Sequence, residues 1–179
     1  APSAAQLPVH AYFDVEIYRQ ELETCFQNGP GYVGHTAMVP EVGHYATLAH
    51  ENHGRVLVRN EAGPELLSNI CRHRQAIMLE GRGQAESIVC PLHRWTYNLK
   101  GDLIGAPHFA QDPAVIEAPS LSQWNGLLFE GDPAIVSSLA STAFSAELDF
   151  SGYALGAIQS HECHYNWKSF IEVYKDDYH

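Results

Sequence analysis

The stretch "CRHRQAIMLEGRGQAESIVCPLHRW", residues 71–95, contains two short boxes that each hold one Cys and one His. The first box is C-x-H, formed by Cys71 and His73, and the second is C-x-x-H, formed by Cys90 and His93. Each box is predicted to be a loop beside a β-strand, because short runs rich in Val, Ile, Tyr and Thr lie next to it. Two such loops facing each other would bring four metal ligands into one compact centre.

The mixture of ligand types within each box favours one kind of centre. Zinc sites usually have paired ligands of one type, spaced C-x2-4-C and H-x3-5-H. A [2Fe-2S] cluster with two Cys on one iron and two His on the other needs a mixture, since each loop then supplies one ligand to each iron. A zinc site or an accidental arrangement stays open as the alternative.

The sequence "CRHR" followed by "CPLHRWTYNLKGDLIGAP" resembles the Rieske domain of ring-hydroxylating and related Rieske non-haem iron oxygenases. The resemblance covers most of the chain and implies a mostly β Rieske [2Fe-2S] domain. It further implies that Cys71 and Cys90 bind one iron, and that His73 and His93 bind the other.

Several neighbouring residues also take part in this resemblance. Trp95 and Tyr97 are similar to the aromatic residues that pack under the second box. Family members usually have Gly where Gln75 and Arg94 stand, so the turn geometry is in question at both places. Leu92 occupies the place of the extra Cys that cross-links the two boxes in respiratory-chain Rieske proteins. Without that cross-link, a reduction potential toward the low end of the roughly −150 to +300 mV Rieske span is expected.

The segment "NWKSFIEVYKDDYH", residues 166–179, predicts a helix. Its large apolar residues recur at helical spacing and share one face: Trp167, Phe170, Ile171, Tyr174 and Tyr178. The segment also resembles the start of the oxygenase catalytic domain, where Asn-Trp-Lys leads to Asp-x-x-His. That resemblance implies that His179 is the first ligand of a mononuclear Fe(II) held by two His and one carboxylate.

The same resemblance makes Asp176 the carboxylate that bridges toward the Rieske centre of a neighbouring subunit. By spacing, Glu172, Asp176 and His179 line one side of the predicted helix. For Glu172 the favoured interpretation is an ordinary solvated acidic side chain.

The remaining sequence suggests four regions. Residues 1–30 are a leader and a helix that Asp14 caps and Gly29 and Pro30 end, with Cys25 expected in the core. Residues 31–130 are the predicted antiparallel β-domain, residues 131–165 a connector with a short helix, and residues 166–179 the beginning of a catalytic domain. The segment "SHECHY" in the connector is interpreted as surface His with a buried thiol at Cys163, and not as a metal site.

Composition limits the partners and the location. The 21 acidic and 10 basic residues give a formal charge of −11, which argues against a nucleic-acid partner. No stretch reaches the roughly 18 apolar residues that span a bilayer, so a soluble protein of a reducing cytoplasm is expected. In such a compartment the Cys residues are expected to be ligands and thiols, and not disulfides.

The resemblance implies an oxygenase α-subunit, of which this chain would be the N-terminal part. Electrons would come from NAD(P)H through a separate reductase, with or without a ferredoxin, and the subunits would form a trimer or an α3β3 assembly. Catabolism of an aromatic hydrocarbon is the expected role for a ring-hydroxylating type, although the residues leave aromatic rings, alkyl amines and other organic substrates open. The alternative function is a stand-alone Rieske electron carrier with a C-terminal extension.

Overall fold

A computed structural model describes residues 7–109, 115–150 and 152–176. Its contacts divide the chain into two units, of which the larger is Pro30–Ile158. The smaller unit combines the N-terminal segment Ala1–Gly29 with Gln159–His179. The predicted class, mostly β with helical segments near both ends, is confirmed.

The regular elements follow the predicted order. The helices are α1 (Val15–Glu21), α2 (Pro133–Ala140) and α3 (Trp167–Tyr174). The strands are β1 (Gly31–His35), β2 (His44–Thr47), β3 (Arg55–Asn60), β4 (Gly63–Ser68), β5 (Arg82–Gln84), β6 (Ile88–Val89), β7 (Thr96–Tyr97), β8 (Leu103–Gly105), β9 (Leu121–Trp124) and β10 (Leu127–Glu130).

Within the described residues, the strands of the larger unit form three sheets. Their strand orders are β1-β10-β9, β4-β3-β2-β5 and β6-β7-β8, and all the pairings are antiparallel. Residues 99–102, "LKGD", form a tight turn, in which Asn98 N donates to Asp102 O at 2.9 Å and Gly101 has a φ of +90°. This turn joins β7 to β8 directly after the second box.

The hairpin of β3 and β4 separates two hydrophobic clusters. Successive strand residues point to opposite faces of a sheet, so Leu66 and Leu67 enter different clusters. The cluster around Leu67 also contains Cys71 and Cys90. The Cys residue of each box is therefore part of the hydrophobic core.

Strand β4 begins with two residues that are uncommon in strands. Its first residues are Gly63 and Pro64, and Pro has no N–H to donate to a neighbouring strand. The strand is tolerated because β4 is at the edge of its sheet, where one side needs no partner.

The N-terminal helix begins as predicted and ends differently. Asp14 caps it, since its carboxylate accepts from Glu16 N at 2.8 Å and from Ile17 N at 3.2 Å. After α1 the backbone widens into a π-helical turn over Leu22–Gln27. That turn changes the direction in which later side chains point, and Cys25 is exposed. The prediction that Cys25 lies in the core is wrong.

Helix α3 is shorter than predicted. Asn166 caps it by accepting from Lys168 N at 3.0 Å, and the helix ends at Tyr174. The prediction covered residues 166–179, of which 177–179 lie outside the described residues. The side chain that α3 buries is Lys168, which is 7% exposed. Phe170 and Tyr174 of the predicted aromatic face are exposed.

The connector contains the predicted short helix α2, capped by Asp132. Residues 154–164 have neither helix nor strand. Cys163 is exposed, so the prediction of a buried thiol there is wrong: this irregular segment has no strand faces to separate an inner from an outer side. Among the helices in the described ranges, none has the length and apolar character to cross a bilayer.

Candidate metal centre

The two boxes have the same backbone hydrogen bonds. In each box the Cys N–H donates to the carbonyl five residues later, and the Cys carbonyl accepts from the N–H four residues later. The distances are 2.9 and 2.9 Å in the box of Cys71, and 2.8 and 3.1 Å in the box of Cys90. The sequence difference between C-x-H and C-x-x-H therefore lies within one common turn.

The common turn is kept without the glycine that the family usually has. Gln75 has a φ of +55° and Arg94 a φ of +63°, so both residues adopt the left-handed conformation. For a side chain with a Cβ this conformation costs about 1 kcal/mol. Both turns thus have the conformation that glycine adopts most easily, with a conformational cost at each box.

The two thiols lie together in the core. Cys71 is 0% exposed and Cys90 is 2% exposed, and neither forms a disulfide. The hydroxyl of Tyr97 accepts from Arg72 N at 3.1 Å and lies 3.6 Å from the sulfur of Cys71. Burial, and next the hydrogen bond with Cys71, raise the pKa of Tyr97 to about 12. Tyr97 is therefore a neutral hydroxyl that can donate to the sulfur.

The two imidazoles lie side by side in different environments. Their ring centroids are 4.6 Å apart, with an interplanar angle of 72°. His93 is exposed and His73 is half-buried. Burial lowers the pKa of His73, and electrostatic repulsion from the neighbouring His93 and Arg74 lowers it further. A lowered pKa favours the neutral imidazole that metal ligation requires.

One buried atom points to an absent group. Nδ1 of His73 is buried and has no hydrogen-bond partner among the described residues, which is costly for a polar atom unless something else binds it. Together with two adjacent thiols and two adjacent imidazoles, this atom fits a [2Fe-2S] cluster. Within the described ranges no three His, Cys, Asp or Glu side chains converge on a single ion position. A centre that shares four ligands between two irons does not require such a group.

Trp95 and Tyr97 link the two boxes. Both follow the second box and were expected to pack under it, yet each contacts a residue of the first. The indole of Trp95 stacks on His73, with centroids 5.0 Å apart and an interplanar angle of 11°. Sequence reasoning missed Phe109, whose ring lies 4.8 Å from that of His73. No spacing pattern relates Phe109 to the boxes, so only the fold reveals it.

The first box also contains two arginines whose role the sequence left open. Arg72 forms an ordinary ion pair, since its guanidinium lies 3.1 Å from the carboxylate of Glu117. Its Nε also donates to Val115 O at 3.1 Å. Arg74 is exposed beside His73.

The predicted residues of the iron site belong to the other unit. Asp176 lies two residues beyond the end of α3, is exposed, and donates its N–H to Val173 O at 3.2 Å. His179 and Tyr178 lie outside the described residues. Glu172 is not simply solvated as expected, because its carboxylate accepts a hydrogen bond from the hydroxyl of Tyr12.

Comparisons with known proteins agree with this geometry. A family model described as the Rieske [2Fe-2S] domain matches residues 30–125. The putrescine 2-hydroxylase of Ralstonia nicotianae (strain ATCC BAA-1114 / GMI1000) is 63% identical over 179 residues, covering 99% of this chain and 49% of the relative. The putrescine 2-hydroxylase of Bordetella bronchiseptica (strain ATCC BAA-588 / NCTC 13252 / RB50) is 46% identical over 194 residues, covering 99% and 45%.

A solved structure of the quaternary ammonium Rieske monooxygenase CntA has the same fold, with a TM-score of 0.78 at 23% identity. That match covers 97% of this chain and 52% of the other. The chain thus spans about half the length of the relatives it matches. The resemblance to Rieske oxygenase subunits is confirmed, and the chain belongs to the Rieske [2Fe-2S] domain family.

Proposed function

We propose that this chain is part of a terminal oxygenase α-subunit that hydroxylates an aliphatic amine. The observation that supports the proposal most directly is the pairing of two buried thiols with two adjacent imidazoles on matched turns. The match to hydroxylases extends over 99% of the chain, including α3. This extent favours an oxygenase over a stand-alone electron carrier.

Each proposed ligand has a distinct setting. Cys71 and Cys90 would hold one iron from within the core, where water cannot reach the thiolates. His73 and His93 would hold the other, with His73 fixed by stacking on Trp95. The [2Fe-2S] cluster supplies one-electron transfer when it is bound. Because His93 is the exposed imidazole, it is the proposed exit for electrons.

Asp176 is the proposed receiver on a neighbouring subunit. A carboxylate between two ligand imidazoles can accept a ring N–H from each and so fix their orientation. One of these would be His93 and the other His179, the proposed first ligand of a mononuclear Fe(II). This arrangement requires at least two subunits, which supports a homotrimer or an α3β3 assembly.

An amine is the proposed substrate class. Two relatives at 63% and 46% identity are named putrescine 2-hydroxylase, so we propose putrescine or a similar aliphatic diamine instead of an aromatic hydrocarbon. The reaction is R–H + O2 + 2 electrons + 2 H⁺ → R–OH + H2O, in which NAD(P)H supplies both electrons through a reductase. One oxygen atom enters the substrate and the other leaves as water.

The proposal is tested with the full-length protein, an NAD(P)H-dependent reductase and putrescine under ¹⁸O2. We expect a product heavier by one ¹⁸O atom, detected by mass spectrometry, and no product when naphthalene replaces putrescine. Naphthalene hydroxylation without amine hydroxylation would contradict the proposed substrate class. Cluster reduction without oxygenation of any substrate would favour the electron carrier.

The cluster is tested separately by chemical analysis. We expect equal amounts of iron and acid-labile sulfide at the two boxes, and their joint loss in Cys90→Ser. Zinc without sulfide would overturn the cluster assignment.

A further inference from the structure

Glu21 ties the first turn of α3 to the N-terminal helix. Its carboxylate accepts from the indole N–H of Trp167 at 3.0 Å and from the ammonium of Lys168 at 2.6 and 2.7 Å. The side chain of Lys168 is 9% exposed and that of Glu21 is 16% exposed, so the ion pair is largely shielded from water. The hydrogen bond from Lys168 is the main reason why the pKa of Glu21 is lowered.

Tyr12 makes a second attachment, farther along the same helix. Its hydroxyl donates to the carboxylate of Glu172, and this hydrogen bond raises the pKa of Tyr12. Its carbonyl accepts from the side-chain amide of Asn166 at 3.0 Å. The same tyrosine therefore contacts the cap and the second turn of α3.

These attachments restrict a short helix at both ends. Helix α3 has eight residues and a length of about 12 Å. A helix held by apolar contacts alone could rotate about its axis or slide along it. Hydrogen bonds and a shielded ion pair depend on direction, so they restrict both movements. Removing a charge from water is costly, and an apolar side chain at Lys168 would pack without that cost. The polar contacts are thus better explained by a need for orientation than by stability.

We infer that Tyr12 and Glu21 are positioning residues for electron transfer, because they fix the orientation of the helix that ends just before Asp176. This inference rests on the proposed function, which places Asp176 between the two metal sites. In the step concerned, a cluster held by Cys71, His73, Cys90 and His93 would supply one electron, and a mononuclear iron with His179 as its first ligand would accept it. The N-terminal segment would then fix the orientation of α3, which lies more than 130 residues away along the chain.

The test is a single-turnover measurement on full-length enzyme. The cluster is reduced, the enzyme is mixed with O2 and putrescine, and the return of the oxidised Rieske absorbance is timed. We expect Y12F and E21Q to slow this return by about tenfold or more, since small misplacements of reacting groups have effects of that size. The visible spectrum and reduction potential of the cluster should not change, because neither residue belongs to its unit. The iron-to-sulfide ratio shows whether the mononuclear iron is retained.

A matched control separates positioning from stability. The ring of Phe26 packs edge-on against that of Trp167, with centroids 5.3 Å apart. This contact also joins the N-terminal segment to α3, but it is apolar. We expect F26L to lower the melting temperature while the oxidation rate stays within twofold of the native enzyme. If F26L slows oxidation as much as E21Q does, the role of the N-terminal segment is stability alone and the inference is wrong.

Two further variants complete the design. E21D keeps the carboxylate and should recover part of the rate lost in E21Q, and it replaces E21Q if that variant does not fold. D176N tests the proposed function itself. A normal rate in D176N overturns the proposed function and the inference with it. A slow D176N together with normal Y12F and E21Q overturns the inference alone.

Discussion

Tyr97, in the strand β7 that follows the second box, contacts residues of the first box through its hydroxyl. Its hydroxyl accepts from the backbone of Arg72 and lies within reach of the sulfur of Cys71. A hydrogen bond to a cluster sulfur stabilises the reduced form, which has the greater negative charge. The reduction potential of the centre should therefore depend on this one hydroxyl.

We predict that Tyr97→Phe lowers the reduction potential by about 50 mV, since a net hydrogen-bond energy of roughly 1 kcal/mol corresponds to that shift for one electron. The visible spectrum should keep its shape, because all four ligands remain. Redox titration followed by circular dichroism measures the change. Tyr45→Phe is the control: Tyr45 packs against the same core, and its variant should leave the potential unaltered.

Arg94 offers a test of backbone strain at the residue scale. We predict that Arg94→Gly stabilises the protein by about 0.5 to 1 kcal/mol relative to Arg94→Ala, because only glycine adopts a positive φ without strain. Both variants remove the same charge, so the comparison isolates the backbone. Thermal unfolding of the cluster-loaded protein should show a difference of about 1 to 4 °C. Equal melting temperatures would mean that this turn is not strained.

At the scale of elements, β4 separates the metal centre from the rest of the core. Leu66 and Leu67 are adjacent and both 0% exposed, yet only Leu67 shares a cluster with Cys71 and Cys90. We predict that Leu66→Ala and Leu67→Ala each cost about 3 kcal/mol, as buried Leu truncations do. Only Leu67→Ala should reduce the sulfide content and alter the Rieske spectrum. Equal loss of cluster in both variants would show that stability alone controls retention.

The contact between α1 and α3 should depend on pH. Because the pKa of Glu21 is lowered in the folded protein, the unfolded chain binds its proton more readily, and stability falls as pH drops. The contribution should be complete above the ordinary pKa of 4.5 and disappear as pH falls through the lower, folded value. We predict that the native protein has a higher melting temperature than the E21Q variant at pH 7. This difference in melting temperature should vanish in acid. A difference independent of pH would contradict the ion pair.

Sequence reasoning was most successful where local chemistry determines structure. The cap at Asp14, the helix that follows Asn166 and the two boxes all depend on residues close together in the chain. The burial of Lys168 could not be predicted, because its partner Glu21 is distant in sequence and helical spacing assigned the inner face to aromatic residues. Phe109 and the crossing contacts of Trp95 and Tyr97 were missed for the same reason.

At the scale of the whole molecule, charge is distributed unevenly. The chain has a formal charge of −11, yet Arg74 and Arg94 are exposed directly after the His of each box. Arg72, also exposed, is paired with Glu117. The net negative charge of the chain would repel an acidic electron donor. The arginines beside the two boxes would attract it. Screening of such attraction becomes strong beyond about 8 to 10 Å at physiological salt.

We therefore predict that reduction of the cluster by an acidic donor slows as ionic strength rises, and that Arg74→Glu slows it further at low salt. Stopped-flow reduction at several salt concentrations measures both effects. Arg82→Glu is the control, since Arg82 is exposed in β5 and outside the boxes. A rate that increases with salt would show that the net acidic charge dominates and that donors approach elsewhere.

The shared turn of the two boxes has one more consequence. Identical backbone hydrogen bonds begin at Cys71 and Cys90, but the imidazole follows two positions later in one box and three in the other. That single-residue offset makes one imidazole half-buried under Trp95 and leaves the other open to solvent. The two turns have the same length, and only the position of the imidazole within the turn differs. A nearly symmetric pair of loops thereby has one shielded and one solvent-facing imidazole.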